Sequence, residues 1–585
     1  MARAASSGGA WRQLVSGLFV AATMAPALTW ADDQQDLVQL RDTVLNLVDA
    51  LVQQGVLDKE KAAALVAKAQ ADAAKSAAVS AQPAASGVTV ASAEPAAKPV
   101  GPDGKPVVRV TYVPEFVKDE IKSQLRSEMR RDVVADVTEQ ARKERWGTPN
   151  ALPGWINAVK LYGDARIRNE YDYYGADNAE TLGGQNLYLN ILNVNKAGSL
   201  KAADTKAFLN TSEDNNRWRE RVRLGLSAKI ADYWMLDTRL VTGTLDNPVS
   251  ANLTQGTMGN RLQVQLDRAQ VRYDRPDDRG FNWLSVQLGR ISNPWFGTEL
   301  VWDEDLGFDG VAATYRHKLE FGDGEALGAF PTNRTAWLTG GAFPLQQPEF
   351  QSQDRWLVAG QAGLDWEFDN QNKLRFGVAF YNYLHMAGKR NPLFSTLNNG
   401  TAVQYVQKGN LLFNIANDPN QDGATTQELL FGLASDYRIL DANISYDFAN
   451  LAPYHVILTA NVVKNLGFDE REIQQRTGGL TYLYPIRDRT LGALVGVQFG
   501  WPEVKALGAW NIEVDYRYLQ RDAVLDAFTD SDFHLGGTDT QGYRITALYG
   551  LSKNLWMRGR WMSANEIDGP PLAIDVLQVD LNARF

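Results

Sequence analysis

Asp575-Val576-Leu577-Gln578-Val579-Asp580-Leu581-Asn582-Ala583-Arg584-Phe585 is the stretch from which the fold is read. Leu577, Val579, Leu581, Ala583 and Phe585 share one parity, and Val576, Gln578, Asp580, Asn582 and Arg584 the other. Successive side chains of an extended chain point to opposite faces, so this is a strand with one greasy and one mainly polar face. A soluble sheet accepts such a strand as readily as a membrane barrel does. The number of times the pattern recurs decides between them.

Working back from it, sixteen segments alternate in this way: 157–170, 217–231, 234–243, 261–275, 284–291, 309–317, 335–345, 355–368, 373–386, 436–448, 454–466, 491–501, 509–520, 541–552, 555–564 and 575–585. Most are near ten residues or longer, as a tilted spanning strand requires. The 261–275 segment is irregular. Leu262, Val264 and Leu266 share a face, yet Arg268 and Arg272 follow on the same parity, and a bulge near Asp267 repairs this. Connections after odd-numbered segments are mostly long and those after even-numbered ones mostly short, with 318–334 the exception. Outer-membrane barrels segregate their loops in this manner.

One face of the segments suits lipid: Trp356, Val358, Ala362, Leu364, Trp366 and Phe368, or Trp510, Ile512, Val514, Tyr516 and Tyr518. The other carries Asp365, Glu367, Glu513, Asp515, Arg517, Arg544, Arg558 and Arg560. A soluble barrel so charged inside has no core, whereas a water-filled lumen keeps those charges hydrated. Every backbone group must pair in lipid, so the sheet closes. The expectation is an all-β, transmembrane antiparallel barrel of about 16 strands over residues 151–585, with the closing strand set against Val159 to Ile167.

Composition agrees. Charged residues make up 22% of the chain and the mean hydropathy is -0.31, too polar for a bundle of membrane helices. A net charge of -10 argues against a nucleic-acid partner. No cysteine is present, so disulfide and thiolate chemistry are out. Residues 1–31 read as a secretory signal, with Arg3 and Arg12 before the apolar Leu14–Leu28 and a cleavage site at Thr29-Trp30-Ala31; an amino-terminal anchor is the alternative. Residues 32–72 read as a coiled-coil-like helical segment, 73–106 as an Ala/Pro-rich linker, and 107–150 as a short strand and a helix with one basic face. That face is either solvated or bound to anionic lipid. The helices are expected in the periplasm.

From about residue 150 the chain resembles a Gram-negative outer-membrane porin, above all the family called putative porins, in which a helical segment precedes the barrel. Three features carry the likeness: the terminal strand ending in Phe585, the strand count, and the stretch G-R-I-S-N-P-W-F-G-T-E-L-V-W-D-E-D-L-G-F-D-G at 289–310. The resemblance implies that Phe585 is an assembly signal for the barrel-assembly machinery. It implies a homotrimer in outer-membrane lipid passing small hydrophilic solutes, with no cofactor. It also implies that the long loop after the fifth strand folds inward, bringing Glu299, Asp303, Glu304, Asp305 and Asp309 to a constriction. Facing them, the candidate basic wall is Arg166, Arg168, Arg219, Arg221 and Arg223, with Arg239, Arg375, Arg517, Arg558 and Arg560. Acid opposite base sets a transverse field across hydrated solute.

Two other readings have their own signals. Asp418, Asn420 and Asp422 follow the start of a calcium loop, D-x-N-x-D-G, but Leu429 stands where the motif wants Glu; an extracellular polar turn is the alternative. An enzyme would need a constellation that His317, His385, His455 and His534 do not provide by spacing, and no Gly-x-Ser-x-Gly elbow occurs. A rival non-enzymatic role is a tether, the barrel anchoring helices that reach the cell envelope.

Overall fold

The computed structural model describes residues 158–178, 188–319, 333–347, 353–368, 370–417 and 429–585. The expected signal, helices and linker of 1–150, and the calcium candidates Asp418, Asn420 and Asp422, lie outside them, as do the residues on which the tether rests.

Sixteen long strands follow in order: β1 (Val159–Tyr174), β2 (Asn215–Ala231), β3 (Trp234–Thr242), β4 (Val264–Pro276), β5 (Asn282–Ser292), β6 (Gly307–Lys318), β7 (Arg334–Gln346) and β8 (Arg355–Glu367), then β9 (Lys373–Leu384), β10 (Arg438–Leu451), β11 (Tyr454–Asn465), β12 (Leu491–Gly500), β13 (Trp510–Leu519), β14 (Thr540–Gly550), β15 (Leu555–Glu566) and β16 (Ala573–Arg584). Each pairs antiparallel with the next, and β16 pairs back with β1. The sheet therefore has no edge, the one arrangement of strands that leaves no backbone polar group facing hydrocarbon. A two-residue strand, Leu253–Thr254, adds to β2, and a short hairpin, Leu412–Asn414 with Phe431–Leu433, stands outside the barrel sheet.

The two faces fall as the alternation predicts. On β16, Val579 and Leu581 are exposed while Gln578, Asp580 and Asn582 are buried on the lumen side. Leu161, Ile167, Val222, Leu224, Val358, Val495 and Tyr516 likewise face outward. Aromatic side chains gather at the strand ends. Tyr454, Phe499 and Trp510 lie within 5.6–6.1 Å of one another at the short-turn end, and Tyr173 and Trp561 are 6.3 Å apart at the other. Such belts suit the membrane interfaces, where an amphipathic ring meets both water and acyl chain.

The bulge is present. Arg239 pairs with Arg268, but Leu240 pairs with Leu266, so Asp267 is the extra residue. It switches the outward parity from Val264 and Leu266 to Ala269, Val271 and Tyr273, and so keeps Arg268 and Gln270 inside. The seam differs from expectation. β16 meets Asp164 to Tyr174, from Asp164↔Arg584 to Tyr174↔Ile574, rather than Val159 to Ile167. Residues before Gly163 overrun β16 and pair only with β2. At the overrun, Phe585 N–H donates to the Gly163 carbonyl (3.0 Å) and Gly163 N–H to the Phe585 carbonyl (3.2 Å). The Phe585 ring lies over this glycine: a Cβ there would come within 2.5 Å of the ring.

The short turns after even-numbered strands and the long connections after odd ones mostly hold; 319–333 is long for its side and 567–572 short. Short helices, Ile191–Ala197 and Glu470–Thr477, sit within the long connections, where the sequence reading placed none.

Candidate functional site

Residues 293–306 join β5 to β6, and their composition dictates a two-sided loop. Trp295 and Trp302 are large apolar anchors, while Glu299, Asp303, Glu304 and Asp305 must be paired or hydrated. Trp302 stands edge-on to Tyr381 and to Phe308, each at 5.0 Å, and Trp295 edge-on to Tyr381 at 5.5 Å and to Phe343 at 6.0 Å. This aromatic cluster pins the loop to the inner wall at β6, β7 and β9. Phe296 N–H donates to Gln361 Oε1 on β8 (2.8 Å) and Thr298 Oγ1 to Asn461 Oδ1 on β11 (2.7 Å).

From there the acids reach the remaining wall. Glu299 accepts from Arg517 on β13 (2.8 Å) and from Arg544 on β14. Glu304 accepts from Arg166 on β1 (3.4 Å) and Arg221 on β2 (3.3 Å). Asp305 accepts from Arg221 (2.9 Å) and Arg223 (3.2 Å). A loop that leaves the wall at β5 thus touches strands on every side of the lumen and crosses it.

The four loop acids differ in environment. Asp303 is 5% exposed; it accepts from Asp305 N–H (2.8 Å) and Ser531 N–H (3.0 Å) and, among the described residues, pairs with no arginine. Burial, with Asp305 and Asp530 beside it, raises its pKa well above the ordinary carboxylate range. Burial would also raise Glu299, but Arg544, Arg560 and Arg517 outweigh it and hold that carboxyl below its usual value. At Glu304, enclosure within the barrel would raise the carboxyl, but Arg221, Arg558 and Arg166 outweigh it and bring the pKa down to about 2. Glu304 is also the loop acid most open to water, its side chain 50% exposed against 7% for Asp305.

Asp309 departs from the expected set. It lies on β6, not in the loop, and pairs at 3.3 Å with Arg290 across β5, both half exposed. Asp309 and its neighbours Gly307 and Gly310 already run in the β5–β6 ladder, which carries this carboxylate away from the cluster.

Of the basic candidates, Arg166, Arg221, Arg223 and Arg517 meet the loop acids. Arg168 and Arg560 instead pair with Asp532, at 2.7 and 3.5 Å, and Arg168 also with Asp580 at 2.8 Å. Arg219 pairs with Glu170 at 3.2 Å, and Arg558 with Asp580 at 2.6 Å. Arg239 and Arg375 are spent within the wall, on Asp267 (2.6 Å) and Asp365 (3.1 Å); Arg375 also lies over the Phe296 ring at 4.3 Å. They do not face the acids, because each strand neighbour supplies a nearer carboxylate.

Sequence reasoning missed a second inserted segment, residues 520–539 between β13 and β14. Its Asp530 pairs with Arg517 at 2.7 Å, and Asp532 receives Arg168. Arg168, Arg219, Arg560 and Arg166 overcome burial at Asp532 and hold it well below its ordinary value. Thr529-Asp530-Ser531-Asp532 looks like any solvated loop in sequence. Arg544 had a usable signal: alternation already placed it on the polar face of β14.

The sequence profile of the family described as "Putative porin" matches residues 41–585. The high-pH structure of Pseudomonas putida OprB is 10% identical, with a TM-score of 0.40, over 75% of this chain and 96% of that one. The outer membrane channel DcaP of Acinetobacter baumannii is 13% identical, with a TM-score of 0.34, over 73% of this chain and 97% of that one. Salmonella typhi OmpF in complex with daunomycin is 10% identical, with a TM-score of 0.34, over 73% and 97%. No curated protein matches the chain.

Proposed function

The chain belongs to the putative porin family of outer-membrane channels, and from that premise we propose that it passes small hydrophilic solutes and ions by diffusion through a lumen narrowed by residues 293–306. No bond is made or broken. The observation that carries this reading is the pairing of that loop with Arg166, Arg221, Arg223, Arg517 and Arg544 across a barrel whose outer face is apolar. Fixed charges at a narrow, hydrated point discriminate among solutes by charge and width.

In the same reading Glu299, Glu304 and Asp305 form the acidic side of the constriction, and Asp303 ties the loop to Ser531. Arg166, Arg221, Arg223 and Arg517 form its basic side. Arg168, Arg219, Arg558 and Arg560 hold the second inserted segment, directly or through neighbouring carboxylates. Residues 1–31 direct export, Phe585 is read by the assembly machinery, and the working unit is a homotrimer. The test is single-channel recording of the purified protein in planar bilayers, with ion selectivity. A protein that inserts but never conducts would overturn the reading.

A further inference from the structure

We propose that a cavity among the long loops, walled on one side by Arg355, binds an aromatic monocarboxylate. The cavity holds about 230 Å³ and opens between the long-loop ends of β6 and β8 and the segments 403–405 and 525–528. An engineered cavity of about 150 Å³ accepts a benzene ring, so a substituted benzoate fits. Phe308, Met386, Tyr405 and Phe528 give it an apolar, largely aromatic wall.

Arg355 sets the charge. It is the first residue of β8, is only 3% exposed, and lines this cavity. Its Nη1 donates to Gln346 Oε1 (2.6 Å) and the Ala402 carbonyl (3.2 Å), and its Nη2 to the Thr401 carbonyl (2.6 Å). All three acceptors are neutral. Among the described residues no carboxylate lies within ion-pair distance of Arg355, and its Nε–H meets no acceptor. The arginines of the constriction each have an acidic partner; this one does not. A guanidinium out of water without a counter-charge is costly, and a ligand carboxylate supplies the missing charge through the free N–H groups.

The remaining charges make the ligand a monoanion. Arg290, the other cation of the cavity, is already engaged by Asp309. Asp309, which engages it, also lines the cavity and would stand against a second carboxylate.

The proposal names a solute class for the pore and rests on that reading only for delivery of the solute, so binding and conduction are measured apart. Titration calorimetry on the purified full chain in detergent should show benzoate binding, with neutral benzamide and doubly charged phthalate at least about tenfold weaker, the scale of one charge-assisted hydrogen bond. Arg355→Gln should lose at least about tenfold in benzoate affinity, and Arg355→Lys less. Benzamide binding as tightly as benzoate would overturn the proposal. So would Arg355→Gln that retains full benzoate affinity while still running as a heat-modifiable barrel. Should that variant not assemble, the benzoate and benzamide comparison on the natural protein decides. Conduction without benzoate binding overturns this proposal alone; benzoate binding without conduction supports it and overturns the pore reading alone.

Discussion

Glu304→Gln tests the proposed constriction by removing one charge that it would present to passing ions. Glu304 is the half-exposed acid of the inserted loop, and its pKa of about 2 keeps it ionised through the neutral range. Glutamine keeps the shape and an accepting oxygen for Arg166 and Arg221, so the loop stays docked while one unit of negative charge is lost. An ion passing at about 6 Å in water-like surroundings feels that charge by about 0.7 kcal/mol, from 332/(80 × 6). A cation loses this much and an anion gains it, so the cation-to-anion preference falls by about 1.4 kcal/mol, or about tenfold. The stability cost lies between about 1 kcal/mol for an exposed pair and about 3–5 for a buried one, because Arg166 is buried and Glu304 is not. The assay is the reversal potential across a KCl gradient in planar bilayers. Near 0.1 M salt, with a Debye length of about 10 Å, screening should leave about half of that free-energy shift; at 1 M, with about 3 Å, little of it should remain. A correctly assembled variant whose reversal potential at low salt equals that of the natural protein would refute the reasoning.

Asp303→Asn should behave differently, since this carboxyl is raised and bonds Asp305 N–H and Ser531 N–H rather than any arginine. Its ion selectivity should stay within about twofold of the natural protein, while Asp303→Ala should make 293–306 more open to protease. Burial raises Asp522 to about 6 and Asp526 to about 7, so the folded state holds protons that the unfolded chain, near 3.9, has released. Their contribution to docking 407–411 on 520–539 is therefore largest below about pH 4 and is lost as pH rises to about 7; amide exchange at Asn410 and Leu411, corrected for intrinsic rate, should quicken across that window, and Asp526→Asn should flatten the trend. Removing Phe585, or filling its seat with Gly163→Leu, should lower the heat-modifiable barrel recovered from outer membranes; undiminished recovery would argue against both the seam contact and the assembly role. Deleting Asp267 removes the bulge but preserves the facing of Arg268 and Ala269, so assembly should survive. Deleting Val271 instead turns Arg272 to lipid, at a cost of up to about 2–4 kcal/mol near mid-bilayer, and gel mobility should separate the two deletions.

The barrel was open to reading from the residues because the membrane imposes one rule on every strand. Lipid outside and water inside force Val579 and Leu581 to one parity and Gln578 and Asp580 to the other, and the same rule repeats at β1, β2, β8, β12 and β13. Even the Asp267 bulge was visible, since without it Arg268 and Arg272 would face hydrocarbon. The segregation of loop lengths followed from chain order alone. Alternation says which way a side chain points, and sixteen such strands allow no arrangement that satisfies both faces other than closure.

What alternation cannot say is which side chain a loop acid reaches. Arg166 and Glu304 are 138 residues apart, Arg517 and Glu299 218, and Arg168 and Asp532 364. Those pairs exist only after the sheet has closed and Trp295 and Trp302 have fixed where residues 293–306 cross the lumen. The same closure brings in Asp530 and Asp532, spends Arg239 and Arg375 on their strand neighbours, leaves Asp309 on the wall, and leaves Arg355 with no counter-charge. By itself the sequence determined the strands, their faces and the closed barrel, because a period-two pattern is local and each strand meets lipid separately. Only the tertiary structure decided which charges meet, because Coulomb energy depends on separation in space and the loops set that separation.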